Sequence, residues 1–151
     1  MTSFFAFLHH IAAFALVAAL VLELVAIKDE LSVRNARRLL IADTVYGASA
    51  TLVLIVGLLR VFYFEKGASY YFHSAPFIAK LATFGLVALL SAYPTLTFLS
   101  WRARLKRGEA PSLAPSRLRA IRAIVHLELA GIAVIILCAA LMARGVGYFG
   151  A

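Results

Sequence analysis

The sequence predicts an all-α integral membrane protein, a bundle of four transmembrane helices with both termini on the outside. Three observations carry that prediction. The 151-residue chain is 64% apolar and only 15% charged, whereas a soluble domain averages roughly 45–50% apolar and about 25% charged residues. The apolar residues fall into four runs, each long enough for the roughly 20 residues that a helix needs to cross hydrocarbon. Eleven of the 15 basic residues lie in two alternate connections between those runs, which sets their direction. The runs take up nearly the whole chain, so residues 1–151 form one transmembrane domain with no separate soluble part.

The first run covers about residues 3–27. No basic residue precedes Phe4, and the run is longer than the apolar core of a signal peptide, so it is read as a span. The second covers about 39–64, the third about 74–100 and the fourth about 120–143. All four are too long for strands and lack a two-residue alternation, which leaves helices. Within the third, the Tyr93-Pro94 pair removes a backbone donor and predicts a kink. The connection 108–116 contains Pro111 and Pro115 and reads as a turn region, with Ser116 as the expected cap of the fourth helix.

The net charge of +8 is mainly an orientation signal. Lys28, Arg34, Arg37 and Arg38 follow the first run. Arg102, Arg104, Lys106, Arg107, Arg117, Arg119 and Arg122 follow the third and open the fourth. The N-terminus has none, and the loop after the second run has only Lys66. Basic loops stay in the cytoplasm, so residues 66–72 and both termini are expected outside. Anionic lipid, not nucleic acid, is the expected counterpart of the charge. The single cysteine, Cys138, excludes an internal disulfide and any cysteine-built metal or iron–sulfur centre and is expected to be a packing residue. Met1 and Met142 are the only methionines, too few for a soft copper site.

Ionisable residues inside spans are costly and mark functional sites. Here they are His9, His10, Glu23, Asp43, Arg60, Lys80, His126 and Glu128. A rise of about 1.5 Å per residue sorts them into two layers. His9, His10, Arg60 and Lys80 fall near the outer boundary. Glu23, Asp43, His126 and Glu128 fall within roughly 6–12 Å of the cytoplasmic one. At about 100° per residue, His9 and Glu23 share a face and His10 points away. Asp43 shares a stripe with Tyr46, Gly47, Ala50 and Gly57, suited to close helix packing. Lys80 aligns with Phe84, Val87 and Ser91, whereas His126 and Glu128 lie on opposite sides of their helix.

A histidine beside two cations has the chemistry of a haem b or porphyrin site. His9 or His10 would ligate the iron, and Lys80 and Arg60 would meet the propionates. Lys80 and Arg60 are also the candidate catalytic residues. The surrounding aromatics, among them Phe4, Phe5, Phe62, Tyr63, Phe64 and Phe77, would either wall such a pocket or form an interfacial belt. The inner residues Glu23, Asp43, His126 and Glu128 are read either as structural partners of Arg37, Arg38 or Arg122, or as a proton path. A haem shared by His10 and His126 is disfavoured, because the two differ in depth by roughly 11 Å.

Taken together, these segments resemble a bacterial family of inner-membrane proteins, domain-of-unknown-function family 2214. The stretches that carry the resemblance are His9-His10, Glu23, Asp43-Thr-Val-Tyr46-Gly47, Gly57 to Tyr63, Lys66-Gly67, Tyr70-Tyr71, Phe77 to Leu81, Ser91 to Thr95, Trp101-Arg102 and Met142 to Gly145. The resemblance spans almost the whole chain and implies a multi-pass protein of the bacterial inner membrane, without an activity. More distantly, His9 or His10 with Lys80-Leu81 is similar to HemJ-type protoporphyrinogen oxidases and to CopD-like membrane proteins. Ile78 stands where the HemJ-type pattern has a histidine. That likeness implies a membrane oxidoreductase binding haem or porphyrin. The competing expectations are a non-catalytic scaffold or partner subunit and a small transporter of protons, metal or an anion. Expected partners are lipids, a porphyrin or quinone, and a second copy of the chain.

Overall fold

The computed structural model describes residues 2–64 and 67–150; Met1 and Lys66 lie outside them. The elements in chain order are α1 (Thr2–Ala26), α2 (Val33–Leu59), a π-helical turn (Arg60–Phe64), α3 (Ala68–Phe72), α4 (Ala75–Ser100), α5 (Arg102–Lys106) and α6 (Pro115–Ala143). The four long helices are long and apolar enough to cross a membrane, and the protein is a multi-pass membrane protein. They stand in a ring in chain order. α1 packs most closely on α2, and α4 on α6, while thinner contacts between α1 and α6 and between α2 and α4 close the ring.

Lipid tails are as apolar as leucine, so burying large side chains does not drive these helices together; close van der Waals packing does. Accordingly Phe14, Ile41, Leu89, Leu96 and Ile136 face outward, while Ala12, Ala19, Ala36 and Ala42 are buried at the contacts. Two glycines lie in close contacts between helices. A methyl group on Gly131 would collide with Val87 Cγ2 across the α4–α6 contact, and one on Gly57 would lie 3.1 Å from the His9 ring across the α1–α2 contact. Gly47 has nothing near it. The expected stripe is therefore turned. Buried Tyr46, Ser49 and Val56 centre the α2 interface on the other side of Asp43, which leaves Gly47 roughly 100° away.

Two boundaries differ from expectation. α2 starts before residue 39, because the Ser32 side chain accepts the Asn35 amide at 3.2 Å and so opens the helix ahead of the charged Arg34, Arg37 and Arg38. α6 starts at Pro115, with Ala114 at the cap position and no side-chain cap. Ser116 therefore lies inside the first turn, since proline is already set for the first helical position. α4 runs unbroken through the buried Pro94.

The basic end is tied together by side chains that donate to backbone carbonyls. Asn35 Nδ2 donates to the Ala26 and Glu30 carbonyls at 2.7 and 3.1 Å. Arg122 donates from Nε and Nη2 to the Ile27 carbonyl at 3.2 and 3.0 Å. Arg37 Nη2 donates to the Leu105 carbonyl at 3.1 Å. The Ala26, Glu30 and Leu105 carbonyls also accept turn hydrogen bonds from backbone amides, so these side chains add second bonds that tie the connections to the neighbouring helices. The opposite end carries both termini. There the C-terminal tail crosses the α3–α4 turn: the Ala75 amide donates to the Gly147 carbonyl and the Phe149 amide to the His73 carbonyl, both at 2.9 Å. Tyr148 stacks on Tyr70, with 4.7 Å between ring centroids.

Candidate functional site

Near the basic end, all four long helices send a polar side chain inward. Glu23 continues the buried stripe of α1 after Ala12, Leu16 and Ala19. Spacings of four, three and four residues keep it on one helical face. Glu128 follows Ile121 and Val125 on α6 in the same way, and Asp43 and Tyr46 belong to the buried face of α2. Glu23 and Glu128 are each 1% exposed and Asp43 is 4% exposed. Glu23 lies within electrostatic reach of Asp43 and Glu128, and Tyr46 within reach of all three carboxyls.

Only part of this cluster is paired. Thr95 on α4 donates its hydroxyl to Asp43 Oδ1 at 2.6 Å, and Arg102 is the cation within electrostatic reach of Asp43. Glu23 Oε1 and both Glu128 carboxyl oxygens are buried without a hydrogen-bond partner among the described residues. Two of the three expected partners, Arg37 and Arg122, bond to backbone carbonyls, and the third, Arg38, is exposed. The reason for the first two is positional, since the Leu105 carbonyl in α5 and the Ile27 carbonyl just past α1 lie within reach of these guanidinium groups and take their donors.

His126 does not join the cluster. It is exposed, and its Nδ1 is bonded to the Arg122 carbonyl one turn back. Its angle of about 160° from Glu128 leaves only one of them on the inner face. Sequence reasoning did not select Thr95. Its signal is weak, because a threonine in a helix usually returns its hydroxyl to its own backbone, as Thr44, Thr51 and Thr97 do here.

At the other end, His9 is within electrostatic reach of Lys80, Arg60 and His10. The π-helical turn, a wider coil often found at functional positions, begins at Arg60 and brings Phe64 onto Phe5 at a centroid distance of 4.6 Å. His9, Lys80 and Arg60 are thus brought together. His9 faces α2 with its Nδ1 buried and unpartnered, whereas His10 is exposed and bonds through Nδ1 to the Ala6 carbonyl at 2.6 Å. Phe4, Phe62 and Tyr63 are exposed, a belt-like placement.

These residues do not fit a haem held inside the bundle. The His9 ring packs on Gly57, where an added methyl group would lie 3.1 Å from it, and it bonds to the Val53 backbone, so the ring is already seated against α2. Iron on His10 would lie on an exposed helix face. The two rings stand edge to face, 6.2 Å apart, and serve different sides of α1. Among the described residues, no three His, Cys, Asp or Glu side chains converge closely enough to share a metal ion.

Neither the curated proteins nor the solved structures compared with the chain give a match. The family description "Predicted membrane protein (DUF2214)" matches residues 1–147, so the chain belongs to the DUF2214 family of predicted membrane proteins.

Proposed function

We propose that this protein handles protons in the membrane, with Glu23, Asp43 and Glu128 as the exchanging groups. The observation that carries this reading is the set of buried carboxyl oxygens on Glu23 and Glu128 that lack any hydrogen-bond partner among the described residues. A carboxylate in hydrocarbon must be neutral, paired or hydrated. The three carboxyls stand on three helices and, among the described residues, do not converge as a shared ion site would require, which suits proton exchange. Asp43, Tyr46 and Ser49 are buried at three-residue intervals on α2. They extend the polar line roughly 9 Å along the helix, toward the His9–Lys80 layer. His9, with an unpartnered Nδ1, is the proton-accepting group at that end.

Purified protein in liposomes with a trapped pH dye tests this. An imposed pH gradient should decay faster than in empty liposomes, and Glu23→Gln and Glu128→Gln should each remove most of the increment. Decay equal to that of empty liposomes would overturn the reading.

A second reading, a redox protein of the bacterial inner membrane binding haem b or a porphyrin, draws on the convergence of His9, Arg60 and Lys80. Those cations suit propionates, but the His9–Gly57 contact opposes it. A Soret band in protein purified from haem-replete cells, lost in His9→Ala or His10→Ala, would favour it over proton handling.

A further inference from the structure

A hollow of about 490 Å³ opens at the basic end, away from the carboxylate cluster. α4 contributes Tyr93, Leu96, Thr97 and Ser100 to its walls, α5 contributes Arg104, the 108–114 connection contributes Ser112 and Leu113, and α6 contributes Arg117. It is pinned in place, because Trp101 and Pro111 in its wall are buried and Leu113 packs on the core. No acidic residue lines it. The carboxylate nearest in charge, Glu109, lies within electrostatic reach of Arg104 but is held two-pronged by Arg107 at 2.9 and 3.1 Å.

The donors left over point to one chemistry. The Thr97 and Ser100 hydroxyls already donate to backbone carbonyls of their own helix. Arg104 and Arg117 come from different elements, and neither guanidinium donates a hydrogen bond to a protein acceptor among the described residues. At the start of α6, Ala114 gives no side-chain cap and the first turn has no acidic residue, so the amides of Ser116 and Arg117 remain open donors. Two guanidinium forks and open helix-start amides match the oxygens of a phosphate. Tyr93 and Leu96, on the same wall, are 42% and 66% exposed and belong to a helix long and apolar enough to cross the membrane.

We infer that this hollow binds a phosphate group carried on a lipid, with the phosphate between Arg104 and Arg117 and the acyl chains leaving past Tyr93 and Leu96. The shared chemistry with free phosphate is separated by the probe.

The full chain, purified in detergent, is examined by native mass spectrometry with dioleoylphosphatidylglycerol or dioleoylphosphatidylcholine, and by calorimetry with inorganic phosphate. The expected result is one phosphatidylglycerol retained per chain, at least about tenfold more tightly than phosphatidylcholine. The Arg104→Gln/Arg117→Gln pair should lose that preference by about tenfold or more. The Lys28→Gln/Arg34→Gln pair removes the same charge from the other basic loop and should not lose it. Arg104→Lys/Arg117→Lys, which keeps the charge but not the fork, should fall between and guards against a folding artefact. Phosphate binding that is lost in the Gln pair, without a lipid preference, would keep the phosphate site and assign its ligand to the soluble pool. Equal losses in both Gln pairs, or no preference together with no phosphate binding, would overturn the inference.

Discussion

Thr95 on α4 donates a 2.6 Å hydrogen bond to Asp43 on α2, across the thinner of the contacts that close the helix ring. Asp43 is 4% exposed, so the bond spans two helices and supplies a donor that a buried carboxyl needs. Thr95→Val should lower unfolding stability by about 1–3 kcal/mol, the usual cost of an unsatisfied buried group. Thr95→Ser should retain most of it. Unfolding in mixed micelles measures both, and equal effects of the two substitutions would assign the loss to packing.

Gly131 lies in a close contact between α6 and α4, and the obstacle to a larger residue is Val87. Gly131→Ala should destabilise by about 1–3 kcal/mol through overpacking. Val87→Ala in the same chain should recover much of the loss, because it removes the colliding methyl group. Thermal unfolding of the two single variants and the double variant reads the coupling, and strictly additive losses would contradict the contact.

The positions of the basic residues predict that residues 66–72 and 108–114 face opposite sides. Ser69 and Ser112 are both exposed. In a Cys138→Ala background, Ser69→Cys should react with an impermeant maleimide added to intact cells, and Ser112→Cys should react only after lysis. Labelling of Ser112→Cys from outside would reverse the orientation.

Outside the membrane, the Arg107 guanidinium beside Glu109 holds its carboxyl below the usual value of 4.5. A carboxyl whose folded-state pKa is depressed stabilises the fold above its unfolded pKa, and that contribution is lost as the pH falls through the folded one. Both groups are fully exposed, so salt screens the pair. Glu109→Gln should leave the unfolding midpoint at neutral pH unchanged. Carbon-detected NMR should show the Glu109 midpoint rising toward the ordinary value in high salt.

The four spans are legible in the sequence because apolar length is what a bilayer selects. The helix ends are less so. Arg34, Arg37 and Arg38 read as loop by hydropathy, yet they extend α2 because Ser32 caps it. The angle of roughly 160° shows in the sequence that only one of Glu128 and His126 can face in; that Glu128 is buried and His126 exposed is a packing result. What hydropathy and angle do not show is the choice of partner. Arg122 satisfies the Ile27 carbonyl and not a carboxylate, and Thr95 reaches Asp43 instead of its own backbone. Both choices depend on which helices become neighbours. The divergence of His9 and His10 is visible in the helical angle, but the close seat of His9 on Gly57 is a packing result.

The central claim is that the buried carboxyls exchange protons, and infrared difference spectroscopy of the purified protein tests it most directly. Stepping the pH should change a carbonyl stretch of protonated carboxyl groups. Glu23→Gln and Glu128→Gln should each remove part of that band, while His126→Gln should leave it intact. Thr95→Val should shift the component due to Asp43 by removing its hydrogen bond. A carboxyl band that does not respond to pH, or one that survives unchanged in Glu23→Gln and Glu128→Gln, would contradict the account.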